Sequence, residues 1–539
     1  MQYGFIIDNR KCIGCHACTV ACKSEHDVPI GVNRTWVKQI EKGEFPNTRR
    51  VFSVLRCNHC ADAPCVEICP VEALYVRKDG IVDFNNDRCI GCKSCMQACP
   101  YDALYIDPDT HTAAKCNYCA HRVDVGLEPA CVNVCPEHAI ISGNIDDPTT
   151  EIAQLLAREQ VTVRKPEKGT KPNVYYINGD EASLNPSATT RSSEYIWSSQ
   201  KTGVGHYAKF TEKLTEGKNA DALLAQLNSK DYSKEISYAG APKKSVEVLM
   251  EAAKARRVYD TPDKGILWGW EVSAYILTKA ISAGVILIPF IAMLTVGIEM
   301  NNEWKYITGA MALIFLAATG MLLVKDLDQP TRFIYVLLRP QWKSWLTIGG
   351  YAITLFGGLV SGWIAAVYFD FGQLASVAFV LSATMATVVA IYTAFLFAQA
   401  KGRDFWQSPT LVLHMFTHSI MAGSAVLLLT AEFISASIAW IEFNTALLFG
   451  SIVFNLILML IELTITHPTQ DAKTVVSMIV RGRYKTHFWI GAITIGNILP
   501  LVFLSDLINM PLASVIMVLI GIFITEKIWV EAPQRIPLT

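Results

Sequence analysis

The positions of the cysteines constrain this 539-residue chain more than any other feature. All 16 cysteines lie between Cys12 and Cys135, and none follows. Each group of four occupies a short stretch, so four thiols come close together in the chain. The groups are Cys12, Cys15, Cys18 and Cys22; Cys57, Cys60, Cys65 and Cys69; Cys89, Cys92, Cys95 and Cys99; and Cys116, Cys119, Cys131 and Cys135.

The spacing within these groups predicts 4Fe–4S clusters. The first and third groups read C-x2-C-x2-C-x3-C, in which three thiolates grip one cluster and the fourth points to another. The second group widens one gap to four residues, and the fourth widens it to eleven. Disulfides suit small secreted domains, and structural zinc uses paired C-x2-C knuckles, so both alternatives fit less well. We expect four 4Fe–4S clusters.

With these motifs, residues 1–145 resemble the four-cluster electron-transfer subunits that partner molybdopterin oxidoreductases such as dimethyl-sulfoxide, polysulfide and nitrate reductases. The resemblance implies a wire of clusters running from a separate catalytic subunit to the membrane. The first ligand set would then face the partner, and the fourth would lie nearest a quinone. The implied sets are Cys12, Cys15, Cys18 and Cys135 (first); Cys22, Cys116, Cys119 and Cys131 (second); Cys57, Cys60, Cys65 and Cys99 (third); and Cys69, Cys89, Cys92 and Cys95 (fourth).

Residues 146–262 read as a connector that tethers the cysteine-rich domain. Ile152 to Arg158 is predicted to be a short helix, and Asn173 to Ile177 a strand. A polar stretch follows, and Val246 to Val258 again reads as a helix. No nucleophile–base arrangement, Walker loop or dinucleotide fingerprint is visible in the connector.

The remaining residues, 263–539, predict a membrane domain. Eight apolar segments are each long enough to cross about 30 Å of hydrocarbon. The predicted fold is thus an α+β double-ferredoxin-like domain followed by an all-α domain of eight transmembrane helices. The segments are 270–296, 305–325, 345–368, 374–398, 409–431, 443–465, 486–505 and 511–530.

Two stretches of this half, WGWEVSAYILTKAISAG (268–284) and KDLDQPTRFIYVLLRPQWKSW (325–345), resemble the NrfD-like family. That family comprises quinone-reactive membrane subunits of polysulfide reductase and of alternative complex III. The resemblance implies two four-helix bundles without haem and a quinone (menaquinone or ubiquinone) bound near the face that contacts the iron–sulfur protein.

Ionisable residues near the start of this domain are the candidate quinone and proton site. Glu271 and Lys279 lie eight residues apart, so they share a helix face about two turns apart. Charged side chains at membrane depth are costly and usually functional. Glu271, Tyr275, Asp326 and Arg332 would provide donors and acceptors for the quinone carbonyls if the first two helices are adjacent.

His414 and His418 extend the candidate site. They lie one turn apart on the fifth segment, as helix-end histidines, proton carriers or haem ligands. One haem needs axial ligands from opposite sides, so two histidines on one helix face do not suffice, and no haem is expected. Glu462 is a further candidate for a proton path.

The expected role is an electron-transfer and membrane-anchor subunit, with no catalytic residues for a substrate other than quinone. The alternatives are a redox-driven ion-translocating component and, less favoured, a transporter with a regulatory iron–sulfur domain. The net charge of −1 gives no reason to expect nucleic acid. Basic residues concentrate in the loops on the side of the cysteine-rich domain, and the chain starts without a signal peptide. Both observations favour the inner (cytoplasmic) membrane with the cluster domain on the cytoplasmic side.

Overall fold

The computed structural model describes residues 1–44, 46–189, 255–505 and 510–539. The chain divides into two compact units. The first comprises Met1–Leu267 together with Ala400–Arg403 and Gln534–Thr539, and the second comprises Trp268–Gln399 and Asp404–Pro533. The cysteines therefore all belong to the first unit.

Short strands and helices alternate with the cysteine loops in the described part of the first unit. The strands are β1 (Tyr3–Asp8), β2 (Thr35–Glu44), β3 (Asn47–Arg56), β4 (Leu74–Val76), β5 (Val82–Phe84), β6 (Leu104–Ile106), β7 (Ala113–Lys115), β8 (Ile140–Asn144), β9 (Val161–Thr162), β10 (Val174–Ile177) and β11 (Ala255–Tyr259). The helices are α1 (Ala17–Glu25), α2 (Pro64–Glu67), α3 (Ser94–Ala98), α4 (Ala120–Val123), α5 (Ala130–Asn133), α6 (Glu151–Arg158) and α7 (Glu181–Leu184).

The largest sheet of this unit has the order β8-β1-β10-β9. Strand β1 lies inside this sheet, and its Phe5, Ile6 and Ile7 are all fully buried, as expected for a strand covered on both faces. It pairs antiparallel with β8 and parallel with β10. Strand β10 and helix α6 confirm the strand and the short helix that were predicted in the connector.

A second sheet has the order β11-β2-β3, and β4-β5 and β6-β7 form two hairpins. Strand β11 corrects the prediction of a helix over 246–258, of which 246–254 lie outside the described residues. Arg257 is buried, and its Nη1 donates a hydrogen bond to Asp260 Oδ2 at 3.0 Å. As a charged residue it would be expected on the solvent face of a helix, but here it points inward from a strand. The described parts of the connector thus belong to the first unit and contribute strands to two of its sheets.

The second unit confirms the eight predicted segments, each a helix long and apolar enough to cross a membrane. Among the described residues between these spans, two shorter α-helices occur, Tyr335–Leu338 and Gln470–Val480. The spans, numbered 1 to 8, are Trp270–Val296, Asn302–Lys325, Trp345–Tyr368, Gly372–Gln399, Thr410–Ala431, Ile438–Thr464, His487–Leu504 and Pro511–Gln534.

Spans 1 to 4 pack in a ring, each against its neighbours. Span 5 packs against span 6, span 6 against span 7, and glycines bring spans 7 and 8 into backbone contact. Spans 1 and 5 join the two groups, and a Cβ on Gly284 of span 1 would lie 2.0 Å from the Ser419 carbonyl of span 5. Small residues permit such close approach between membrane helices, and this contact brings Lys279 and the span 5 histidines into the same layer.

Candidate functional sites

In each of the four cysteine groups, the residue directly before the second cysteine has a left-handed backbone conformation. These residues are Gly14 (φ 70°), His59 (φ 42°), Gly91 (φ 69°) and Tyr118 (φ 63°). Left-handed geometry is easy for glycine and strained for histidine and tyrosine. Strain of this kind is retained where the surroundings impose it, often at functional sites. The four loops therefore share one backbone path even though two of them lack glycine.

Twelve of the cysteines line three separate cavities, with four cysteines in each. Cys12, Cys15, Cys18 and Cys135 line one cavity, although Cys135 is far from the others in the sequence. A second cavity is lined by Cys57, Cys60, Cys65 and Cys99, and a third by Cys69, Cys89, Cys92 and Cys95. These groupings coincide with the first, third and fourth ligand sets of the resembled family.

The remaining four cysteines also come together. The thiol of Cys22 interacts electrostatically with those of Cys116, Cys131 and Cys119. Cys22 belongs to a different set from Cys12, Cys15 and Cys18 of its own motif. Helix α1 carries Cys18 in the first set and, one turn later, Cys22 in the second.

The four sets are arranged in a row. Cys18 of the first set interacts with Cys131 of the second, and Cys116 of the second interacts with Cys57 of the third. Cys95 of the fourth set interacts with Cys65 of the third. The order along the unit is therefore first, second, third, fourth.

The electrostatics of these thiols fit iron–sulfur clusters. Burial raises the pKa of the Cys18 thiol to about 12, and burial followed by the neighbouring sulfurs raises the pKa of Cys65 well above its usual range. Four such thiolates require positive charge among them, which the iron atoms of a cluster provide. The backbone N–H groups of Ala73 and Ala113 each donate to a cysteine sulfur at 3.3 Å. Hydrogen bonds to sulfur are one of the features that set cluster potentials.

In the second unit, Lys279 is buried (1% exposed) between spans 1 and 4. Its Nζ donates to the Thr393 hydroxyl at 2.7 Å and to the Ala390 carbonyl at 3.1 Å. It also lies 4.8 Å from the centre of the Tyr392 ring. The amine is thus held by oxygen atoms and an aromatic face, which are the partners that a buried lysine in an apolar helix requires.

Glu526 of span 8 connects the two predicted histidines. Its Oε1 lies 2.6 Å from His418 Nδ1 and 4.0 Å from His414 Nε2, and all three side chains are buried. The two histidine rings are 4.1 Å apart. Glu526 also interacts electrostatically with Lys279 and with Tyr275. These residues form one buried polar cluster, which we call the membrane cluster: Tyr275, Lys279, His414, His418 and Glu526.

A small cavity continues from His414 toward span 6. It is lined by His414, Trp529, Ser408, Thr410 and Glu462, and its volume of about 10 Å³ suits one water molecule. Glu462 Oε2 accepts hydrogen bonds from Ser408 and Thr410. Within the described residues, neither Glu462 Oε1 nor His414 Nε2 has a hydrogen-bond partner. Both therefore have capacity to bind a water or exchange a proton in this cavity.

The other predicted site residues lie around spans 1 and 2, which are adjacent, with the Thr278 and Thr319 hydroxyls 2.8 Å apart. Glu271 is partly exposed and lies 3.6 Å from Lys325. Asp326 follows span 2 and interacts electrostatically with Tyr275, whereas Arg332 lies on a short 3-10 helix beyond it. Glu271 thus pairs with a surface lysine, and the structure groups Tyr275 with Lys279 and the histidines.

Comparison with protein families settles the membership of the chain. Residues 261–534, half of the chain, match the family described as polysulphide reductase, NrfD. The chain belongs to the NrfD family. Residues 11–74 and 49–145 match 4Fe–4S dicluster domains, so this NrfD-family chain carries an iron–sulfur domain and a multi-pass membrane domain.

The iron–sulfur part is similar to separate subunits of known reductases. A tetrathionate reductase subunit of Salmonella typhimurium is 47% identical over 190 residues, which are 34% of this chain and 76% of that protein. A polysulfide reductase subunit of Wolinella succinogenes is 43% identical over 181 residues, 33% of this chain and 94% of its own length. Protein NrfC of Escherichia coli is 43% identical over 180 residues, 33% of this chain and 81% of that protein.

Sequence reasoning missed Glu526 in this NrfD-family chain. The signal was present, because a carboxylate within an apolar helix of 24 residues is itself an indication of function. Its partners were harder to identify, since the contact between spans 5 and 8 joins residues 108 positions apart.

Proposed function

We propose that this chain is an electron-transfer and membrane-anchor subunit that passes electrons between a membrane quinone and a separate catalytic subunit. The observation that carries the proposal is the row of four cysteine sets in a chain whose membrane half belongs to the NrfD family. In this proposal each set binds one 4Fe–4S cluster, with the ligands implied by the resemblance. A single redox sensor has no use for four clusters in a row.

The membrane cluster is the proposed quinone and proton site. A quinol that is oxidised releases two electrons and two protons, so the site needs groups that bind its oxygens and accept its protons. Lys279 and Tyr275 offer donors to a carbonyl oxygen, and His418 with Glu526 offers a proton acceptor. Glu271, Asp326 and Arg332 remain candidates for the entrance to this site. No haem is part of the proposal, and either menaquinone or ubiquinone suits these groups.

The proposed partner is a molybdopterin-type oxidoreductase. The names of the similar proteins place them in tetrathionate and polysulfide reductases, so a sulfur compound is the substrate class that we favour. The chain itself offers no recognisable molybdopterin-binding motif. We further propose that the fourth ligand set lies nearest the quinone and the first nearest the partner.

A second candidate function is redox-driven ion translocation. The membrane cluster and the cavity beside Glu462 involve spans 1, 5, 6 and 8, which is more than a quinone headgroup requires. Glu462 has a free carboxylate oxygen within the described residues, and one water in the cavity would bridge it to His414. Such an arrangement suits a proton path between the quinone site and one face of the membrane.

We expect paired cysteine substitutions to reveal the ligand sets. Cys22→Ala and Cys116→Ala should each remove one cluster, about a quarter of the iron and acid-labile sulfide, because each cluster needs its full ligand set. The double variant Cys22→Ala/Cys116→Ala should lose no more than either single variant. The control pair Cys22→Ala/Cys57→Ala should lose about half of the iron. Equal losses from the two double variants would contradict the proposed sets.

Replacing Lys279 by methionine should slow the reduction of the clusters by a quinol analogue at least tenfold. The reason is that a buried donor to the quinone is lost while the shape of the side chain is largely kept. Reduction by dithionite and the iron content should not change. Lys305→Met, at the start of span 2, is the matched control and should behave as the unmodified chain does. Equal quinol rates in the two variants would exclude Lys279 from the site.

The ion-translocation candidate is tested with Glu462→Gln in sealed vesicles. Proton uptake per electron should fall, since glutamine cannot carry a proton, while electron flow continues. Glu442→Gln, an exposed carboxylate on the same span, is the control. Unchanged proton uptake in Glu462→Gln would contradict a proton path through Glu462, and only the electron-transfer function would remain proposed.

The proposed orientation places the iron–sulfur domain on the cytoplasmic side of the inner membrane, by the distribution of basic loop residues. With eight spans, the chain end at Thr539 would lie on the same side. A green-fluorescent-protein fusion at Thr539 should fluoresce, and an alkaline-phosphatase fusion there should be inactive. Phosphatase activity at this end would reverse the orientation.

A further inference from the structure

Each of the four cysteine groups is directly preceded by a basic residue: Lys11, Arg56, Arg88 and Lys115. The four differ in their surroundings. Arg56 and Lys115 are buried, with 1% and 0% exposure, whereas Lys11 is exposed and Arg88 is partly exposed. The two buried residues end strands β3 and β7, so their side chains are fixed by the strands on which they lie. Burying a cation is costly unless an anion offsets it.

Arg56 lies between the first and second ligand sets. Its Nη1 donates to the Cys131 sulfur at 3.0 Å, and its charge also acts on Cys116 and Cys18. The guanidinium packs 4.3 Å from the centre of the Phe5 ring, which holds it in place. Among the described residues, its Nε and Nη2 have no hydrogen-bond partner. Both groups would therefore be able to donate to a sulfur of a cluster held by either set.

Lys115 lies between the second and third sets. Its Nζ donates to the Cys116 carbonyl at 2.9 Å and to the Val82 carbonyl. The same ammonium group interacts with the Cys57 sulfur, and its charge acts on Cys65. One cation thus lies at each junction on either side of the second set.

The burial of the cysteines explains why these two junctions need a protein cation. All ligands of the second and third sets are buried. In the first set, by contrast, Cys15 is exposed and Cys12 and Cys135 are partly exposed, and in the fourth set Cys92 is partly exposed. Water therefore reaches the first set, and the fourth set is accessible through Cys92 alone. The two interior sets have no exposed or partly exposed ligand, so they depend most on charges supplied by the protein.

We propose that Arg56 and Lys115 are potential-setting cations, which raise the reduction potentials of the clusters on either side of them and keep the interior of the electron path accessible to electrons. This proposal rests on the proposed function of the cysteine sets. A cluster with four thiolates is an anion, and each one-electron reduction adds a negative charge. A fixed neighbouring cation stabilises the reduced form more than the oxidised form. Without it, the interior clusters would be harder to reduce than the end clusters.

The test is a redox titration of the purified full-length chain, monitored by electron paramagnetic resonance with dithionite and chemical mediators. Arg56→Gln should lower two of the four one-electron potentials, and Lys115→Gln should lower two. A single affected cluster, that of the second set, should be common to both variants. Each affected cluster should shift its ratio of reduced to oxidised form at least tenfold at a fixed ambient potential, which is 59 mV for one electron.

Charge-conserving and exposed variants separate this role from a purely structural one. Arg56→Lys and Lys115→Arg should keep the cluster potentials close to those of the unmodified chain. Lys11→Gln should leave all four cluster potentials unchanged, because water screens an exposed charge. The iron content identifies any variant that fails to assemble, and the other junction then tests the same claim. Unchanged potentials in both glutamine variants, or equal shifts in Arg56→Lys and Arg56→Gln, would overturn the proposal.

The titration uses neither quinone nor partner subunit, so its result does not depend on the membrane site. Fewer than four one-electron steps in the unmodified chain would instead contradict the proposed function itself. The two failures are therefore distinguishable.

Discussion

The first unit is organised around a problem of charge. Sixteen thiols occupy four sites, and three of every four in the unit are nearly or fully buried. Thiolates packed this closely repel one another in a medium that screens charge weakly. The fold answers with cluster sites formed by left-handed loops, with backbone N–H groups that donate to sulfur, and with buried cations at the two interior junctions. The strands and short helices chiefly place these elements.

The membrane unit also buries a charged type of side chain, but here it is a single basic residue and not a set of thiolates. Lys279 is buried among apolar helices, and its charge is offset by Thr393, the Ala390 carbonyl and the Tyr392 ring, with the carboxylate of Glu526 nearby. The close approach of Gly284 on span 1 to the Ser419 carbonyl on span 5 also brings Lys279 into the same layer as the span 5 histidines. Such an arrangement is costly to build, which is why we attribute a redox or proton function to it.

The sequence was informative where the signal is local. Cysteine spacing predicts clusters because the ligands of a loop are neighbours in the chain, and about 20 apolar residues predict a span because the bilayer sets that length. The spans accordingly agree with prediction to within a few residues. The strand at Ala255–Tyr259 was missed because Arg257 is paired with Asp260 inside the unit, and such a pairing leaves no trace in a periodic pattern.

Tertiary contacts explain what could not be predicted. A basic residue precedes the first cysteine of all four groups, yet only the folding of β3 and β7 decides that Arg56 and Lys115 are buried while Lys11 is not. The grouping of Cys135 with Cys12 was implied by a family resemblance and not by spacing. Glu526 was visible as a carboxylate in an apolar helix, but its contact with His418 depends on how spans 5 and 8 pack.

The proposed function requires electrons to pass between a membrane quinone and the clusters within this one chain. Stopped-flow absorbance of the purified chain in lipid nanodiscs tests it most directly, with the clusters first reduced by dithionite and then mixed with a quinone in the absence of oxygen. We expect complete reoxidation of the clusters, with a rate that saturates as the quinone concentration rises. Clusters that stay reduced, or that reoxidise in the Lys279→Met variant at the same rate as in the unmodified chain, would contradict it.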